Sequence, residues 1–129
     1  MKYKLSMLEN ELFPFGQILK SSRLIVLGAG TFGHHLVNRL KIENQYAIVG
    51  WSDDAYKNND IFGLKIKSIS VLLNLEYDFI IIAHINQSVS EQKESELLKN
   101  GIDSIKIRKS WIFNKLNTKD MLNKMGIVQ

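Results

Sequence analysis

The sequence predicts an α/β fold, a doubly wound parallel sheet of about five strands. Three observations carry this: apolar runs of strand length alternate with helical patterns along the chain, the runs are rich in Ile, Val and Leu rather than alternating with polar residues, and the first run passes straight into Gly-x-Gly-x-x-Gly. Right-handed crossovers then give the strand order 3-2-1-4-5. The chain of 129 residues has the length of one domain. That is too short for a nucleotide-binding half plus a full catalytic half.

The first strand is Arg23 to Leu27, ending at Gly28. Gly30 has no side chain to keep a phosphate from the backbone, and Gly33 lets the following helix lie close to the sheet. That helix runs from Thr31 to about Ile42 and turns Phe32, Leu36, Val37 and Leu40 inward, with His35, Asn38 and Arg39 opposite. Strand two spans about Tyr46 to Trp51, and the Asp/Asn-rich stretch from Asp53 to Asp60 reads as an exposed loop. Gly63 to Lys67 is a short third strand, followed by a short helix from Ser68 to Leu75 with Ser68 as a cap.

Tyr77 to Ala83 is the clearest buried strand. A loop, His84 to Ser88, follows at its carboxyl end, then a polar helix capped by Ser88 and closed at Gly101 in a left-handed conformation. Ile102 to Ile107 supplies the fifth strand, and Asn117 to Met125 a last helix stopped by Gly126. Residues 1 to 21, where Pro14 and Gly16 interrupt a helical spacing, form an N-terminal helical extension to a nucleotide-binding domain over 22–129.

Bulk properties narrow the chemistry. The chain has no cysteine, which excludes disulfides, thiolate catalysis, Cys-type zinc sites and iron–sulfur clusters. Seventeen Lys+Arg against 13 Asp+Glu leave a net charge of +4, spread without a run that would mark a nucleic-acid tail. Glu9 and Glu11 break any signal-peptide core, and no apolar stretch is long enough to span a membrane, so a cytoplasmic protein is expected.

The crevice at the carboxyl ends of strands one and four is where a ligand belongs in such a sheet. Gly28, Gly30 and Gly33, with the first helical turn at Thr31 and Phe32, are the candidate phosphate cradle. Thr31 serves equally as a plain N-cap. Asp53, twenty residues after Gly33, stands where a ribose-binding carboxylate belongs; Asp54 competes for that role, and both are also turn formers. A carboxylate there disfavours NADP against ligands with a free diol. His84, Asn86 and Gln87 border the crevice, His84 as a hydrogen-bonding group ahead of an acid–base catalyst. His34 and His35 lie at the positive end of the helix dipole and read as packing or surface residues.

No complete catalytic site emerges. A lysine four positions after a tyrosine, typical of short-chain dehydrogenases, is absent at Tyr3, Tyr46, Tyr56 and Tyr77. Three histidines, two of them adjacent, make no metal site, and Ile25, Val26 and Leu27 occupy the place where S-adenosylmethionine enzymes carry an acid.

Leu24 to His35, Ile48-Val-Gly-Trp-Ser-Asp-Asp54, Gly63-Leu-Lys-Ile66, Tyr77 to Ala83 and Asn100-Gly-Ile102 together resemble a small Rossmann-type domain of bacterial surface-polysaccharide enzymes. Similar domains form the N-terminal part of sialic-acid-type sugar acetyltransferases and an accessory segment of nucleotide-sugar dehydratases. The resemblance, over roughly residues 22 to 108, implies that Gly28, Gly30 and Gly33 approach phosphate, that Asp53 or Asp54 approaches sugar or base, and that Ala83 to Asn86 border the ligand. It also implies a UDP-sugar-type ligand, and a glycosyltransferase or acyltransferase domain as partner. No hexapeptide repeat follows Ile107, so the acyl-transfer module of that group is missing.

The expectation is therefore a nucleotide-sugar or dinucleotide-binding module in polysaccharide metabolism, without a catalytic or metal site of its own. Its alternatives are an NAD-dependent oxidoreductase or epimerase fragment and an NAD(H)-sensing regulatory domain. NAD and a UDP-sugar are the candidate ligands, and homo-oligomers, but neither nucleic acid nor a membrane, the further candidate partners.

Overall fold

A computed structural model of the chain describes residues 18–84 and 86–109. The last helix expected from Asn117 to Met125, and most of the N-terminal extension, lie outside these residues. In chain order the elements are β1 (Arg23–Leu27), α1 (Thr31–Glu43), β2 (Ala47–Ser52), β3 (Asp60–Ile61), β4 (Leu64–Lys67), α2 (Ile69–Leu72), β5 (Phe79–Ile82), α3 (Gln87–Lys99) and β6 (Ile107–Lys109). They form one six-stranded sheet in the order β3-β4-β2-β1-β5-β6. The five strands from β4 to β6 are parallel and reproduce the expected order, while β3 pairs antiparallel with β4.

Period-two geometry explains why the central strands read as unbroken apolar runs. Leu24 and Val26 of β1 and Ile81 of β5 face one side, where they pack with Phe32, Leu36, Val37 and Leu40 of α1. Ile25 and Leu27, with Ile80 and Ile82, face the other, against Leu72 of α2 and Leu97 of α3. Each fully buried aliphatic side chain contributes about 1.5–3 kcal/mol, so both faces must be covered and helices lie on both. Helix α1 ends where Asn44 turns left-handed (φ 54°) and donates its amide to Leu40.

The structure departs from the sequence reading after Asp53, at the start of the fifth strand and at the caps of α3 and α2. The loop after Asp53 contains a 3-10 turn, Asp54–Tyr56, and then enters β3. Phe62 (φ 55°) and Gly63 (φ 77°) form the two-residue connection from β3 to β4, with both central residues at positive φ as a tight hairpin needs. The fifth strand starts at Ile107 rather than Ile102. Asp103 accepts a hydrogen bond from the Ile105 amide (3.1 Å) and caps a 3-10 turn over Ser104–Lys106, so local side-chain bonding displaces the ladder there. Asn86, not Ser88, caps α3, accepting from the Val89 amide at 3.1 Å. Ser68 does precede α2, but its hydroxyl meets Ser70 (3.2 Å) instead of a helix amide.

The glycines of the loop between β1 and α1 make a stability prediction. A Cβ on Gly33 would sit 2.1 Å from the Gly28 carbonyl oxygen, whereas one on Gly30 meets nothing within 4 Å. Gly33→Ala should therefore lower unfolding free energy by about 3 kcal/mol through overpacking, while Gly30→Ala folds normally. Urea denaturation of the two variants checks this; equal stability would show that α1 does not rest on the loop.

Candidate functional site

The loop from Gly28 to Gly30 joins the carboxyl end of β1 to α1, and each of its groups is held from a different direction. Gly28 takes a φ of +126°, and a Cβ there would meet the Ala83 carbonyl oxygen at 2.6 Å, so only glycine fits against the end of β5. Its amide donates to the Ser52 carbonyl (2.7 Å). Its carbonyl accepts from the indole N–H of Trp51 (2.7 Å). The next amide, of Ala29, donates to Asp53 Oδ2 at 2.8 Å.

Gly30 is the N-cap of α1, and the first turn of that helix carries no side-chain cap bond and no acidic residue. Amides of a first helical turn lack intrahelical acceptors and sit at the positive end of the macrodipole. With open space in front of Gly30, this end of α1 presents donors to the crevice. Thr31 is the first helical residue rather than the cap, and its side chain is exposed. Phe32 is 5% exposed and belongs to the core, leaving its main chain alone to serve a ligand.

Asp53 stands where β2 ends. Besides holding Ala29, its Oδ1 accepts from the Ala55 amide (2.9 Å) and so caps the 3-10 turn. The ribose and turn-forming readings are thus compatible: a carboxylate has about four lone-pair sites, and two backbone bonds leave acceptor capacity for a diol. Asp54 is exposed within the turn.

Beside the loop, on the α2 and α3 side of the sheet, lies a cavity of about 310 Å³. Leu27, Ile69, Leu73 and Leu97 give it apolar walls, and Asp53, Asp54, His84, Lys93 and Glu96 supply charge and hydrogen-bonding groups. The half-buried His84 imidazole is held below its ordinary value of 6.5 by burial; Asp53 opposes this shift and Lys93 adds to it. Asn86 and Gln87 do not line the cavity: Asn86 caps α3, and Gln87 donates along that helix to Glu91 (2.9 Å).

His34 has the packing role expected of it. Its ring meets Trp51, Tyr56 and Phe62 edge-on at centroid distances of 5.3, 6.4 and 6.0 Å. Its Nδ1 lies 3.0 Å from the Gly30 carbonyl, an acceptor that calls for the proton on that nitrogen. Sequence reasoning missed Trp51, Lys93 and Glu96. Lys93 and Glu96 are one helical turn apart and flank the inward Leu97, a spacing that the helix pattern contained. Among the described residues, no cluster of three metal-ligating side chains occurs, and no helix is long and apolar enough to cross a membrane.

Two expectations follow. Asp53→Ala should lower both thermal stability and ligand affinity, the latter about tenfold to a hundredfold, because it frees the Ala29 amide as well as the acceptor; Asp54→Ala should change neither. Calorimetric titration with melting curves reads both, and the reverse ranking would place the binding carboxylate at Asp54. For His84, the depressed value means that the unfolded chain protonates first as pH falls. The stability carried by neutral His84 is whole above its ordinary 6.5 and is lost as pH drops through that value toward the lower folded one. Melting from about pH 7.5 to about pH 5 should therefore fall more steeply for the wild type than for His84→Gln; parallel curves would refute the assignment.

Comparison with known proteins bears on the fold. No curated protein matches the chain. The crystal structure of RSP, a Rex-family repressor, superposes with a TM-score of 0.56 at 15% identity, over 81% of this chain and 63% of that one. RSP in complex with beta-NADH gives 0.55 at 16% identity, over 93% and 71%. At this identity they show the fold, which is Rossmann-like; the chain spans less than two thirds of the first. These neighbours are repressor structures, and the expected likeness to sugar acetyltransferases and nucleotide-sugar dehydratases finds no support in them. A family model described as C2185-like, N-terminal matches residues 20–108, and the chain belongs to that family.

Proposed function

We propose that this chain is a dinucleotide-binding domain that holds NAD(H) as a sensing or presenting module and does not turn it over. The observation that carries the reading is the glycine loop with open space at Gly30, set between the unblocked end of α1 and the Asp53 carboxylate. A diphosphate fits the first, a ribose diol the second, and a heteroaromatic base the apolar-walled cavity beside them. The fold neighbour RSP was crystallised with beta-NADH and is a repressor, which supports a regulatory reading over one in sugar metabolism.

The reading without turnover is supported by the small set of titratable groups around the cavity, Asp53, Asp54, His84, Lys93 and Glu96. His84 lies with Asp53 and Lys93 around one cavity, and burial favours its neutral form, which suits a hydrogen bond to a bound ligand. The shift of His84 makes it a neutral hydrogen-bonding group at physiological pH.

Calorimetry with NADH, NAD⁺, NADPH and a UDP-sugar tests the proposal. NADH or NAD⁺ should bind, NADPH at least about tenfold more weakly because its 2′-phosphate meets Asp53, and Gly30→Val should abolish binding while the fold survives. Tighter binding of the UDP-sugar would overturn the reading in favour of a nucleotide-sugar module. Multiple turnovers lost in His84→Ala would overturn it in favour of an enzyme.

A further inference from the structure

The peptide unit between Gly28 and Ala29 is clamped at both ends. Its C=O accepts from Trp51 Nε1 at 2.7 Å, and its N–H donates to Asp53 Oδ2 at 2.8 Å. A trans peptide points these two groups in opposite directions, so two residues spaced by two at the end of β2 fix the whole plane. Rotating it would break both bonds and turn the carbonyl oxygen toward the Asp53 carboxylate, acceptor against acceptor.

Trp51 is itself immobilised. It is fully buried, its ring is parallel to Phe62 (centroids 6.3 Å apart, 5° between planes), and the His34 edge meets it at 5.3 Å. Phe62 holds that position at a φ of 55°, a left-handed conformation unfavourable for a bulky side chain. Its carbonyl accepts from Lys41 Nζ at 2.6 Å, which ties the hairpin to α1.

We infer that Trp51 is a positioning residue of the glycine loop: its indole N–H holds the Gly28 carbonyl on the α1 side, which keeps the turn through Ala29 and Gly30, and with it the first amides of α1, where a diphosphate would meet them. This rests on the reading of the loop as a diphosphate site and assigns a side chain outside the ligand's reach to its affinity. The consequence is selective. Loss of the donor weakens ligands that carry a diphosphate and spares those that lack one.

The test compares ADP-ribose with adenosine on the full chain, by competition NMR with melting curves alongside. Trp51→Phe keeps an aromatic ring against Phe62 but removes the donor; benzothienylalanine at position 51 replaces only the N–H by sulfur and guards against misfolding. ADP-ribose should bind about tenfold more weakly to both variants, with adenosine changed by less than about twofold. Equal weakening of both ligands would reduce Trp51 to a general packing role, and unchanged ADP-ribose binding would remove it from the site. Failure of the wild type to bind ADP-ribose would instead overturn the diphosphate reading, and this inference with it.

Discussion

The close approach of the Gly28 carbonyl to α1 is the constraint on which the rest of the molecule depends. That oxygen lies where a Gly33 side chain would be, and it accepts the Trp51 indole N–H. One polar atom thereby limits how near the first helix lies to the sheet and ties the end of β1 to Trp51 of β2. Close packing at this point lets Phe32, Leu36 and Val37 reach Leu24 and Val26, so the core on one side of the sheet and the donor array at its edge share a cause.

A second consequence concerns the start of the sheet. The first residue of β1, Arg23, binds Asp78 through its backbone amide (2.7 Å) and its guanidinium (3.1 and 3.2 Å), with Glu76 nearby at 3.0 Å. The Arg23 hydrogen bonds hold the Asp78 carboxyl below its ordinary range. An exposed pair of this kind adds little stability. Its use is registration: with Asp78 placed opposite Arg23, β5 enters beside β1 in the frame that brings Ile80 to Ile25 and Ala83 to the glycine loop.

Much of this was legible in the sequence because it depends on backbone geometry that few residues tolerate. Gly28, Gly33 and Asp53 could be read since a positive φ, a close contact and a strand-end carboxylate each demand a particular residue type, whereas the open space at Gly30 makes no such demand of the fold. The β3–β4 hairpin escaped because Phe62-Gly63 lacks the Asn-Gly or Asp-Gly signal and follows a stretch rich in Asn and Asp. The fifth strand was placed too early because Ile102, Ile105 and Ile107 have strand-like composition, while Asp103 quietly redirects the main chain. Lys93 and Glu96 share a helical spacing with Leu97 in the sequence, but the fold alone brings them to the cavity beside Asp53 and buries Trp51 under α1 against the Gly28 carbonyl. Their neighbours in sequence say nothing of that meeting.

Helix α3 gives the cavity one of its walls yet buries only Ser90 and Leu97 among its 13 residues. Its exposed face is polar apart from Leu98, and several of its side chains satisfy one another along the helix, as Gln87 does with Glu91. Such an element sits at the low end of the local unfolding hierarchy, opening in amide exchange before the central strands do. Part of any binding free energy at this cavity would therefore be spent on holding α3 in place, so an affinity there would be weaker than the contacts alone imply. Occupancy then becomes readable at a distance: a ligand lodged against Lys93 and Leu97 slows the exchange of an entire helix, and a partner resting on the outer face of α3 would sense that stiffening without touching the ligand.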